Sequence, residues 1–217
     1  MSRFSICIPF TLLMECPYPN DWPNPANYSN DPHDPGGATM CGITHHEYDV
    51  WRTAHGLPTR NVRQITKEEG YIIYEEDYWQ PHSPSLAPGL DLSYFDICVN
   101  QGPTAATHLL QATLDVDADG IWGPMTQAAV EGITNVPAAI MKLTAVREAA
   151  YRRMRNFPVF GHGWINRAIE ICADSMTMTR TPAGIITLRA YVKTPRTYSG
   201  YGLKGVTVVG GDQTNGH

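Results

Sequence analysis

The sequence predicts a mainly α-helical protein with a short β-rich C-terminal tail, and three observations lead there. Apolar residues recur at helical spacing through most of residues 45–172. Helix-opening residues precede several of these stretches, Thr44 and Thr66 among them. Strand-like alternation is confined to the end of the chain, in residues 185–192 and 206–209.

The first element is a short apolar run, residues 10–14, which delivers one carboxylate, Glu15. About twenty residues of Pro, Asn, Asp and Gly follow, and they are expected to form no regular structure. If the apolar run is a packed helix, Glu15 lies at the rim of a core. Partial withdrawal from water disfavours a charged carboxyl, which is how a general acid is made. The competing reading is an ordinary surface glutamate, the usual place for that residue. An acid beside a long polar loop with aromatic residues suits a site that handles sugars.

Residues 45–55 read as a helix, with Tyr48, Trp51 and Arg52 at helical spacing and Thr44 as its cap. His45, His46, Glu47 and His55 invite a metal, but their order lacks the spacing that puts two ligands on one helical face, so no metal is expected. Residues 64–79 form the next helix, opened by Thr66 and Glu69 as a capping box. Its last residue, Trp79, either stacks on a sugar or belongs to the core. A proline-rich link at 81–88 precedes helical patterns from Leu92 onward and at 104–114.

Asp115, Asp117, Asp119 and Gly120 imitate half a calcium loop, yet Thr126 stands where that loop needs a bidentate glutamate. The stretch is therefore read as a turn, with Thr126 at a helix start. Residues 126–133 and 137–157 make two more helices, and a last helix reaches Cys172. Arg152, Arg153 and Arg155 form either a wall-contact patch or a solvated face. Trp164 is expected to pin helices together, while Asn166 and Arg167 are too generic to assign.

Hydrophobic content of 42% and charged content of 17% fit a globular chain that can bury a core. The net charge of −5 gives no electrostatic reason to expect nucleic acid as a partner. No apolar run approaches the ~20 residues that span a bilayer. The apolar N-terminus is not followed by a small-residue cleavage site, so synthesis in the cytoplasm without a cleavable signal is expected. Five cysteines, Cys7, Cys16, Cys41, Cys98 and Cys172, include no Cys-x-x-Cys pair and read mostly as buried thiols. A Cys16–Cys41 disulfide would brace the site loop, but a cytoplasmic setting argues against it.

The string Tyr28-Ser-Asn-Asp31-Pro-His-Asp34-Pro-Gly-Gly-Ala-Thr-Met-Cys-Gly-Ile-Thr44 resembles the signature of the glycoside hydrolase family 108 N-acetylmuramidases, lysozyme-like enzymes often found as phage endolysins. The resemblance continues through Tyr78-Trp79, Tyr94-Phe95-Asp96, Val99-Asn100-Gln101-Gly102, Asp119-Gly-Ile-Trp-Gly-Pro and Gly163-Trp-Ile-Asn-Arg167, and covers about residues 8–172. The family's two glycines after its glutamate are replaced by Cys16 and Pro17, and roughly ten residues around 19–27 look inserted.

This resemblance implies a lysozyme-like catalytic region at 1–88 and a peptidoglycan-binding-like helical region at 89–174 packed on it, while the β-like tail at 175–217 lies outside it. It implies a hydrolase of the β-1,4 bond between N-acetylmuramic acid and N-acetylglucosamine, with bacterial peptidoglycan as partner, no cofactor, and release from the cytoplasm to the wall. Glu15 is then the general acid, with Asp31, Asp34 and Thr44 as further catalytic candidates. Tyr28, Trp79 and Asn100 are the substrate-binding candidates. A monomer is expected. The alternative is a non-catalytic wall-binding or phage structural protein that keeps the fold.

Overall fold

A computed structural model of the chain describes residues 2–30 and 37–180. Asp31, Asp34 and the strands expected at 185–192 and 206–209 lie outside these described residues. The fold is mainly α, with eight α-helices and one small sheet among the described residues.

Helix α1 spans Arg3–Glu15 and is capped by Ser2, whose hydroxyl accepts the Ser5 N–H at 3.2 Å. It buries Phe4, Cys7, Ile8, Phe10, Thr11 and Leu12, so it is wrapped on several sides instead of showing one apolar stripe. Pro17 disfavours helical backbone at the residue before it, and Cys16 is extended at φ −137°, ψ 145°. That local rule ends the helix at Glu15.

The following loop is tied by one buried side chain. Asn27 accepts the Tyr18 N–H at 2.9 Å and donates to the Tyr18 and Asp21 carbonyls at 2.9 and 3.0 Å. Regular structure then appears where none was expected: β1 (Tyr28–Ser29), β2 (Thr39–Met40) and β3 (Ile43–Thr44) form an antiparallel sheet in that order. Strands this short leave no readable alternation. The β2–β3 turn is Cys41-Gly42, both with positive φ, at +47° and +81°, which is the two-residue hairpin geometry that matches strand twist.

The predicted Thr66–Glu69 capping box is present, and the predicted Thr44 cap turns out to be a capping box as well. Thr44 opens α2 (His45–Ala54) with Glu47, and Thr66 opens α3 (Lys67–Ile73) with Glu69. Beyond Ile73 the coil widens into a π-helical segment, Tyr74–Trp79. Then come α4 (Leu90–Gln101), α5 (Pro103–Thr113), α6 (Pro124–Glu131), α7 (Val136–Arg152) and α8 (Phe157–Met178). Helix α8 runs six residues past the expected stop at Cys172. Helix α6 opens on Pro124, and Thr126 accepts a hydrogen bond from the buried Gln111 amide at 2.9 Å. Gln111 also donates to Asp119 at 2.8 Å, and Asp119 accepts the Ile121 N–H, so this carboxylate closes the turn.

Helix α4 is the axis of the packing. Every residue from 90 to 98 is buried, which accounts for its weak amphipathic pattern. Leu92 and Phe95 join Phe4, Ile8, Leu12, Tyr48, Ile73 and Tyr74 in one core cluster, while Leu90, Tyr94 and Ile97 join Leu110, Ile140 and Leu143 in the other. Two of the substrate-binding candidates have packing partners here. Trp79 is 3% exposed and packs against Phe4 and Phe95, with ring centroids 5.8 and 5.4 Å away, so its face is taken by the core. Asn100 accepts hydrogen bonds from the Tyr151 hydroxyl at 2.6 Å and Arg147 at 3.3 Å, which joins α4 to α7.

Candidate active site

Glu15 is held where α1, α8 and the β2–β3 turn meet. Its side chain is 18% exposed, neither sealed in the core nor free in water. Arg167, on α8, places Nη1 2.6 Å from Glu15 Oε1. The other oxygen, Oε2, lies beneath Gly42: a methyl group built on Gly42 would be 2.9 Å from it and 3.1 Å from the Tyr74 hydroxyl. Gly42 itself is exposed. One carboxylate oxygen is therefore anchored on Arg167, and the other lies against Gly42.

Arg167 is held in turn by Asp96 at the centre of α4. Its Nε and Nη2 reach Asp96 oxygens at 3.0 and 2.8 Å, a two-pronged contact. Arg147 of α7 contributes Nη1 2.8 Å from Asp96 Oδ2. The four groups carry two positive and two negative formal charges. Burial alone would raise the Asp96 carboxyl, but Arg167 and Arg147 override it and hold it below the ordinary carboxylate range. Burial works against the Arg167 charge as well, and Asp96 and Glu15 outweigh it, so Arg167 stays firmly protonated. The role of this arginine is not legible in local spacing, because its partners come from α1 and α4.

A second set of polar side chains stands beside Glu15. Tyr74 is buried and donates its hydroxyl to the Cys41 carbonyl at 2.5 Å, which fixes the turn that covers Glu15. Tyr78 donates to Glu47 Oε1 at 2.7 Å, and Glu47 Oε2 accepts the Thr44 N–H at 2.8 Å. Burial raises the Tyr78 phenol, followed by the nearby charges of Glu47, Asp77 and Glu15. Asp77 is likewise raised, first by burial and then by Glu76 and Glu47.

Two further expected site residues have other partners. The Thr44 hydroxyl accepts the Glu47 N–H at 3.1 Å and so serves as the cap of α2. Tyr28 pairs with Met40 across β1 and β2, and the Arg63 guanidinium covers one face of its ring at 4.0 Å. Trp164, as expected, links helices: its ring lies 5.3 Å from Tyr151 of α7 and 5.9 Å from Phe160 one turn earlier. His45 lies 3.6 Å from Asp49, and no group of three His, Cys, Asp or Glu side chains suited to a metal occurs among the described residues.

Part of this polar arrangement falls within a stretch with known relatives. Residues 25–102 match the family model Glycosyl hydrolase 108. The resemblance read from the motifs is to this same family. The matched span contains Gly42, Thr44, Glu47, Tyr74, Tyr78 and Asp96, while Glu15 precedes it and Arg167 follows it. SagA of Brucella abortus is similar over a wider range, with a TM-score of 0.69, 29% sequence identity, and coverage of 83% of this chain and 97% of that one. No protein with a curated description matches. The glycosyl hydrolase 108 match supports a glycoside hydrolase.

Proposed function

We propose that the chain is a peptidoglycan hydrolase that cleaves the β-1,4 bond between N-acetylmuramic acid and N-acetylglucosamine, with Glu15 as general acid. The observation that carries this reading is the asymmetric placement of the Glu15 carboxyl, one oxygen on Arg167 and the other under exposed Gly42. In the proposed step the proton is delivered from Oε2, the oxygen not held by Arg167. As the bond to the leaving sugar breaks, that proton moves to the departing oxygen, and Glu15 is left as a carboxylate already paired with Arg167. The developing charge thus meets a partner that needs no reorganisation. Asp96 keeps Arg167 in place and acts on the reaction only through it.

A second group must meet the oxocarbenium-like centre or activate water. Asp31 and Asp34, in the connection between β1 and β2, are the proposed sources. We assign the protein to the wall-lysing class typified by phage endolysins, made in the cytoplasm and reaching the wall after release.

Reducing-end analysis of digested, purified peptidoglycan tests the bond. New N-acetylmuramic acid ends are expected; new N-acetylglucosamine ends would place the cut at the other glycosidic bond, and binding without products would favour the non-catalytic alternative. Gly42→Ala tests the open side of Glu15. Its methyl group would press on Oε2 in a left-handed backbone, which costs about 1–2 kcal/mol of stability. The melting temperature should therefore fall by a few degrees while hydrolysis drops at least about tenfold, because a misplacement near 1 Å can cost more than the lost stability suggests.

A further inference from the structure

The β2–β3 turn uses a residue its backbone does not favour. Both central positions of this turn type are left-handed, a conformation in which Asn, Asp and Gly are the least costly choices. Cys41 occupies the first of them at φ +47°, where a Cβ crowds the following carbonyl. Turn chemistry does not select a cysteine here, so the side chain has to account for it. That side chain is turned inward, leaving Cys41 1% exposed.

What it meets is Cys16, the residue that ends α1 and is itself 3% exposed. The two buried thiols belong to one core cluster and act on each other electrostatically, and the Cys16 thiol also reaches the Leu12 carbonyl at 3.5 Å. The segments that carry them are adjacent, since Gly42 follows Cys41, Glu15 precedes Cys16, and a methyl group on Gly42 would lie 2.9 Å from Glu15 Oε2. The other cysteines differ: the side-chain neighbours of Cys7 are Arg3 and Asp91, and that of Cys98 is Tyr94.

We propose that Cys16 and Cys41 are a disulfide site, closed when the chain folds under oxidising conditions and left as a buried dithiol when it folds under reducing ones. The bond would fasten the end of α1 to the hairpin turn directly behind Glu15. The oxidant is a small-molecule disulfide of the glutathione type. One protein thiolate attacks it and expels a thiolate, giving a mixed disulfide. The second protein thiolate then displaces the remaining half. Two protein thiols are oxidised, one small disulfide is reduced to two thiols, and the two protons pass to the leaving thiolates. Both cysteines are buried in the folded chain, and burial with the adjacent Cys16 and Glu15 pushes the Cys41 thiol upward. Exchange is therefore slow once the fold has closed, and the state of the pair records the conditions under which the chain folded.

The full chain, refolded from denaturant either in a mixture of oxidised and reduced glutathione or in excess reductant, gives the test. After alkylation and proteolysis, the oxidatively refolded sample should yield a peptide linked through Cys16 and Cys41, with Cys7, Cys98 and Cys172 alkylated. It should melt about 5–15 °C above the reduced sample, as expected for closing a loop of this length. Cys41→Gly, which suits the left-handed turn, and Cys16→Ala should each fold in reductant and show no gain from oxidation. Alkylation of both Cys16 and Cys41 after oxidative refolding, pairing of either with another cysteine, or an oxidative gain retained in both variants would overturn the proposal.

Discussion

Glu15→Gln is expected to lower hydrolysis of purified peptidoglycan by about 10²–10⁴-fold, the usual worth of a positioned proton donor. Glutamine keeps the shape and can still accept a hydrogen bond from Arg167, but it has no proton to give a leaving alkoxide. The fold should survive, because Arg167 retains its two-pronged contact with Asp96 and the lost carboxylate lies at the rim of the core. Circular dichroism and thermal melting should therefore resemble the parent chain while product release nearly disappears. A variant that clears sacculi at more than about a tenth of the parental rate would move the acid to another residue. Asp77 would be the first alternative, since burial and the nearby Glu76 and Glu47 raise its carboxyl.

What the sequence made visible follows the range of the interactions involved. The Thr44 cap and the Thr66–Glu69 capping box act over three residues, and both were readable before any coordinates. The end of α1 at Glu15 was equally local, set by Pro17. Arg167 was not readable, because its partners come from α1 and α4 and reach it only through packing. Two-residue strands carry too few positions for a period of two to show, so the hairpin over Glu15 was hidden inside a loop. Trp79 illustrates the opposite failure. An aromatic ring at the end of an amphipathic helix fits a sugar platform or a core equally well in sequence, and only its contacts with Phe4 and Phe95 decide the matter.

Asp96→Asn should be the most damaging single change to stability, because it leaves the Arg147 and Arg167 guanidiniums with too little negative charge in the interior. Removing one partner of a buried ion pair typically costs about 3–5 kcal/mol. For a chain of this size that corresponds to a fall of roughly 6–20 °C in melting temperature. The pH dependence separates charge from packing. The folded-state value of Asp96 is depressed, so its stabilisation is complete above the ordinary unfolded aspartate value near ~4 and is lost as pH falls through the lower folded-state value. The parent chain should lose stability more steeply than the variant on acidification below about pH 4. The gap between them should then narrow, since at low pH the parent carries a neutral Asp96 as well. If urea unfolding showed the two chains equally stable at neutral pH, or separated by a constant gap through the acid range, the buried cluster would not be what secures Arg167 against Glu15.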